Sequence, residues 1–152
     1  MDNFHYVGGG KELLDLVQPL WEKLNKHHEV QSNHFADRFK NLTFDMRKNK
    51  FIQDDTSKVK IELVKDIEKD RYIGYCISTV DKELIGEIDS LYIEQEYRKY
   101  GLGDKLMKSA LDWLDSNEAR IKIIGVTEGN EKALAFYEKY GFYKRRIVLE
   151  QI

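Results

Sequence analysis

The chain is short of cysteine, proline, long apolar runs and any excess of basic charge. Cys76 is its single cysteine, which excludes an internal disulfide and the paired-cysteine zinc spacings. Small secreted domains are usually dense in disulfides, so a reducing cytoplasm is the expected setting. Nowhere do apolar residues run for the roughly 18 positions that a membrane helix needs. Met1-Asp2-Asn3-Phe4 lacks the basic-then-apolar pattern of a signal peptide, so no membrane association is expected. Lys and Arg number 25 against 27 Asp and Glu, a formal charge of -2, and that balance leaves no footprint for a nucleic-acid backbone. Pro19 is the only proline, and it is expected to kink or split the helix that carries it.

What is present is enough for one globular domain over residues 1–152. The chain has 152 residues, 41% of them hydrophobic and 34% charged, and a chain of this size buries roughly 68–70% of its unfolded surface. Phe4 to Val7 reads as a short strand before the Gly8-Gly9-Gly10 loop. Leu13, Leu14, Val17, Leu20, Trp21 and Leu24 form a helical stripe within Lys11 to His28. Ser32 is placed to cap a second helix reaching about Lys48, with Phe35, Phe39, Leu42 and Met46 inward. Alternation then predicts strands from Lys58 to Val64, Tyr72 to Val80 and Leu84 to Glu94. A helix follows from Gly103 to Ser116, then an apolar strand from Ile121 to Val126 suited to a sheet centre. Asn130 to Tyr140 reads as a short helix and Phe142 to Leu149 as a closing strand. The order β-α-α-β-β-β-α-β-α-β predicts the α/β class, with a mixed sheet covered on both faces.

Two segments carry chemistry. Arg98-Lys99-Tyr100-Gly101-Leu102-Gly103 joins a strand to an amphipathic helix. Its glycines let backbone approach a ligand closely, and the free N–H groups and positive dipole of the helix start suit a pyrophosphate. It is not a Walker A loop, because Asp104-Lys105-Leu106 follows Gly103, and Leu106 fills the third small position of the dinucleotide fingerprint. The second segment is Asn130-Glu131-Lys132-Ala133-Leu134-Ala135-Phe136-Tyr137-Glu138-Lys139-Tyr140-Gly141-Phe142. Asn130 is a good helix cap, and Tyr137 follows two turns later on the same face. Gly141 is placed to end the helix.

Taken in order, EIDSLYIEQEYRKYGLGDKLM and GNEKALAFYEKYGF resemble the two cofactor motifs of the GNAT N-acetyltransferase superfamily. The resemblance implies a GNAT-like fold and direct transfer of an acetyl group from acetyl-coenzyme A to a primary amine, small or peptidic. It implies that Leu91, Tyr92 and Ile93 hold the pantetheine arm through their backbone. The N–H groups of Arg98, Lys99, Tyr100, Gly101, Leu102, Gly103 and Asp104 would hold the pyrophosphate. Asn130 would contact the cofactor arm, and Tyr137 would lie near the sulfur as general acid. Asp104 departs from the pattern by setting a carboxylate beside the pyrophosphate. Dimers are common for such domains, so a homodimer is one expectation.

Glu87 and Asp89 alternate along the strand that leads to this region and are the candidate general bases. Trp21, Asn25, His28 and His34, on the first two helices, are the candidate acceptor contacts. His27, His28 and His34 lack the spacing that sets two imidazoles on one helix face, so no metal is expected. Cys76 falls inside a strand and reads as a core thiol. The alternative to an enzyme is an acyl-coenzyme A sensor or scaffold, for which an acid at Tyr137 has no use.

Overall fold

The computed structural model describes residues 3–152. Five strands form one sheet in sequence order: β1 (Phe4–Gly9), β2 (Lys58–Asp66), β3 (Arg71–Val80), β4 (Ile85–Ile93) and β5 (Ile121–Ile124). The first four make an antiparallel meander, as short turns between alternating segments require. Only β5, reached through a helix, runs parallel to its neighbour β4. The helices are α1 (Leu14–Gln31), α2 (Ala36–Asn41), α3 (Phe44–Gln53), α4 (Leu102–Ser116) and α5 (Ala133–Glu138).

Strand alternation divides the core in two. Leu63, Tyr75 and Ile77 face α1 and α3 and pack with Leu14, Val17, Leu20, Trp21, Phe44 and Phe51. Val64, Cys76, Val80 and Ile88 face the other way, onto Leu102, Leu106, Met107, Ala110 and Leu114 of α4. Fully burying a side chain such as Leu106 or Leu114 contributes about 1.5–3 kcal/mol.

Three local expectations are corrected, and a split at Pro19 is excluded. α1 runs through Pro19 as one helix; the lost bond to the Asp15 carbonyl is offset by the buried stripe on either side. The helix expected from Ser32 to Lys48 is two helices. Leu42 and Thr43 are extended, and the Thr43 hydroxyl caps α3 by accepting from the Met46 N–H at 3.3 Å. That break turns Phe44 and Phe51 inward and leaves Met46 exposed. β5 lies at the sheet edge rather than its centre, with Ile121 51% exposed. Residues 142–149 form no strand. Lys144-Arg145-Arg146 followed by Ile147-Val148-Leu149 gives neither face a uniform character, so neither has a reason to bury.

Candidate functional site

The site begins where β4 and β5 part. Their parallel ladder covers Ile85 to Ile88 against Ile121 to Ile124 and then ends. β4 continues to Ile93 against β3 alone. The Glu94 N–H donates to the Ile73 carbonyl at 2.9 Å. By alternation, the peptide groups of Ile93 and Leu91 point away from β3 into the opening, while those of Tyr92 point toward β3. A bulge sits just upstream: Ser90 opposes Ile77 and Ile88 opposes Ser78, which leaves Asp89 as the extra residue.

One end of the opening meets the glycine turn. A 3-10 turn over Gln95–Tyr100 leads to Gly101 at φ +73°, and α4 starts at Leu102. That backbone conformation costs other residues energy, so the turn requires glycine. Apart from the adjoining residues, no atom lies within 4 Å of where a Gly101 Cβ would stand. The Arg98 Nε donates to the Ile93 carbonyl at 2.8 Å, and the guanidinium lies over the Tyr92 ring. The turn is thereby fastened to the end of β4. Gln95, Glu96, Arg98 and Lys99 line an open groove alongside it. Asp104, in the first turn of α4, accepts from the Tyr140 hydroxyl and pairs with Lys108 at 2.9 Å. The Tyr140 hydrogen bond and then Lys108 hold its carboxyl below the usual range, so its charge is compensated within the protein.

Behind the opening is a cavity of about 240 Å³. Asn130 and Tyr137 both line it, but not through a shared helical face. The helix itself is shorter than expected: it begins after Lys132, and Asn130 lies in the preceding turn rather than at the cap. Burial, with a smaller contribution from the Cys76 thiol, pushes the Tyr137 hydroxyl up to about 12. Cys76 is itself buried, and desolvation raises its thiol to about 12, far from a reactive thiolate. Trp21, Asn25 and His28 of α1 line the opposite side, with Phe39 and Leu42. Asn25 acts as a brace: its Nδ2 donates to the Phe39 carbonyl at 2.7 Å.

His28 packs against the Phe39 ring, and its buried Nδ1 has no hydrogen-bond partner. Burial, then the neighbouring His27, lowers it to about 4. The unfolded chain therefore binds this proton first as pH falls, and stability is lost between the ordinary value of 6.5 and about 4. The melting temperature should fall across that window, and His28→Gln should make the fall shallower. Equal slopes for the two proteins would mean that the ring is solvated.

Asp89 lines the cavity; Glu87 does not. Asp89 takes a hydrogen bond from the Thr79 hydroxyl at 2.8 Å and pairs with Arg47 at 3.1 Å. Burial, then Asp89, raises the Glu87 carboxyl. His34 is not part of the cavity lining; its side chain is 65% exposed and 4.0 Å from Glu128.

Three residues escaped the sequence reading. Arg47 reaches the cavity from α3, with its guanidinium over the Phe51 ring at 5.0 Å. Glu94 is buried between Lys23 at 2.5 Å and Arg71 at 2.8 Å, joining α1 to the sheet. Burial opposes its charge, but the hydrogen bonds from Lys23 and Arg71 hold its carboxyl below the usual range. Glu128, beyond β5, accepts from the Ser32 hydroxyl at 2.5 Å and from the Asn33 N–H at 3.1 Å. Gly129, at φ +92°, lies against the Gln31 carbonyl. Together they strap the loop after β5 onto the end of α1.

Among the described residues, no three His, Cys, Asp or Glu side chains converge as a metal site, and no helix is long and apolar enough to cross a membrane.

Known proteins resemble this chain in sequence and in fold. N-alpha-acetyltransferase 30 of Schizosaccharomyces pombe is 36% identical over 85 residues, 52% of this chain and 57% of that protein. The chain spans less than two thirds of the length of the curated relatives it matches. A GCN5-related N-acetyltransferase from Ralstonia eutropha superposes with a TM-score of 0.73 at 15% identity, covering 98% of both chains. The aminoglycoside N-acetyltransferase AAC(6')-Iy, solved in complex with CoA, gives a TM-score of 0.66 at 13% identity over 98% of this chain and 94% of its own. The family model described as Acetyltransferase (GNAT) family matches residues 11–142, most of the chain, and the protein belongs to that family.

Proposed function

We propose that the protein transfers the acetyl group of acetyl-coenzyme A to a primary amine held in the cavity between the β4–β5 opening and α1. The observation that carries this reading is a coincidence of three features. Backbone groups of Leu91 and Ile93 face the opening, the Gly101 turn stands at one end, and Tyr137 lies at the cavity beyond it. The CoA complex of the aminoglycoside enzyme, on the same fold, supports the choice of cofactor.

The residues fit that cofactor. Gly101 leaves open space where a side chain would stand, and the N–H groups that begin α4 suit a diphosphate. Arg98, Lys99 and Tyr100 flank it, while Leu102, Gly103 and Asp104 supply the first helical amides. Leu91 and Ile93 supply strand-like donors and acceptors for the amide-bearing arm, and Asn130 an amide side chain. Acetyl-coenzyme A supplies an acetyl group activated as a thioester. Asp89, with carboxylate lone pairs beyond those used by Arg47 and Thr79, takes the proton of the attacking amine. Tyr137 keeps its proton at neutral pH and donates it to the departing sulfur. The buried lone thiol Cys76 suits a cytoplasmic setting.

Release of free thiol from acetyl-coenzyme A, followed with a panel of amines, tests the proposal. Amine-dependent release is expected; cofactor binding without release would identify a sensor. Gly101→Val forces the turn out of its conformation or strains it by about 1–2 kcal/mol, so CoA affinity should drop by about tenfold. Unchanged affinity by titration calorimetry, in a variant shown to be folded, would remove the turn from the site.

A further inference from the structure

The cavity also constrains the acceptor. Its lining contains one acidic side chain, Asp89, and one permanently cationic one, Arg47. They face each other at 3.1 Å, and both are well buried, with side-chain exposures of 14% and 22%. His28 is uncharged at neutral pH, so the cavity's net charge is close to zero. A polycationic acceptor needs several carboxylates, and this wall has a single one that is already compensated. The pair is also rigidly placed. Asp89 sits in the β4 bulge with its second oxygen bound by Thr79, and Arg47 is stacked on Phe51. Removing two charges from water is costly unless further partners satisfy them. Arg47 gives one of its five N–H donors to Asp89, and the planar fork that remains suits a carboxylate. The facing wall is apolar, built from Trp21, Leu24, Phe39 and Leu42. At about 240 Å³, the space lies below the range typical of drug-sized ligands.

We infer that the acceptor is a small zwitterion, an α-amino acid with an apolar side chain. Its ammonium lies against Asp89, its carboxylate against Arg47, and its side chain against Trp21 and Phe39. This rests on the acyl-transfer reading above. A fixed ion pair is best complemented by a second one set antiparallel, and an α-amino acid carries its two charges one carbon apart. Arg47 is then the specificity-determining residue. It binds the group that does not react, while the ammonium gives one proton to Asp89 and the free amine attacks the thioester carbonyl. The carbon–sulfur bond breaks as the amide bond forms, the thiolate takes the Tyr137 proton, and the second proton lost by nitrogen restores the Tyr137 hydroxyl.

The test compares acceptors that differ only in the carboxylate. Thiol release from acetyl-coenzyme A is followed with leucine, leucinamide, phenylalanine, phenylalaninamide and spermidine. A hydrogen-bonded charge discriminates by about 10- to 100-fold, so each free amino acid should exceed its amide by that factor in kcat/KM. Arg47→Gln also disturbs Asp89, its ion-pair partner, and so slows every acceptor, but it should erase the ratio because the acids lose more than the amides. The wild-type ratio decides the matter even if that variant fails to fold. Amides or spermidine turned over as well as the free acids would overturn the inference and leave acyl transfer standing. Release with no amine would overturn both.

Discussion

Tyr137→Phe is expected to lower kcat by about 10²–10⁴-fold, the range for losing a general acid, with little change in the Kd for the cofactor. The ring stays: it packs at 5.4 Å on Phe136, and that contact does not involve the hydroxyl. What goes is a proton that burial holds in place until pH approaches about 12. The wild-type activity should therefore show no alkaline limb from this group at moderately basic pH. An interaction made only in the transition state lowers kcat and kcat/KM together, which is the pattern to look for. Full activity in the variant would mean that water or the acceptor protonates the sulfur. Parallel losses in Kd and kcat would instead make Tyr137 a packing residue.

Gly129→Ala is expected to destabilise the fold by about 3 kcal/mol, high among single substitutions and of the kind that strained backbone positions produce. A Cβ there would stand 2.3 Å from the Gln31 carbonyl oxygen and 3.0 Å from the Ser32 nitrogen. Both are backbone atoms, so neither can swing aside, and φ +92° adds strain of its own. The loop after β5 must then lift away from α1, carrying Thr127 and Asn130 out of the cavity wall. The denaturant midpoint should fall at unchanged slope, and the acceptor KM should rise. A variant of wild-type stability would show that the loop tolerates a looser seat.

The sequence revealed the meander and the Gly101 turn, because each depends on local periodicity or on one residue's conformational range; it set Asn130 on the helix of Tyr137, whereas Asn130 lies in the turn before it. It did not reveal the break at Leu42-Thr43. A capping threonine inside a helical stripe reads equally well as a mid-helix residue until the packing of Phe44 and Phe51 decides. β5 looked like a central strand because an apolar run signals burial on two faces, yet nothing pairs beyond it among the described residues. Arg47, Glu94 and Glu128 were illegible for a different reason. Each acts through a partner far away in the chain, Asp89, Lys23 and Ser32 respectively, and single-sequence spacing carries no such pairing. Glu87 and Asp89 look equivalent by alternation; the bulge at Asp89 and the cavity beside it separate them.

The link between Asp104 and Tyr140 has a consequence for how the molecule breathes. α5 has six residues, of which Phe136 and Tyr137 are half-buried against the core and none is fully buried, which places it toward the more easily opened end of the structure's local stabilities. It is held to α4 by that hydrogen bond and by the Phe136 ring beside Gly103. The anchor points are the residues that begin α4, where the cofactor's phosphates would rest. If a ligand at that turn favours the closed form, it would make α5 harder to open by mass action. Amide exchange of α5 would then slow on adding CoA, although the diphosphate rests on the start of α4. The helix bearing Tyr137 would be most fully formed with the turn occupied.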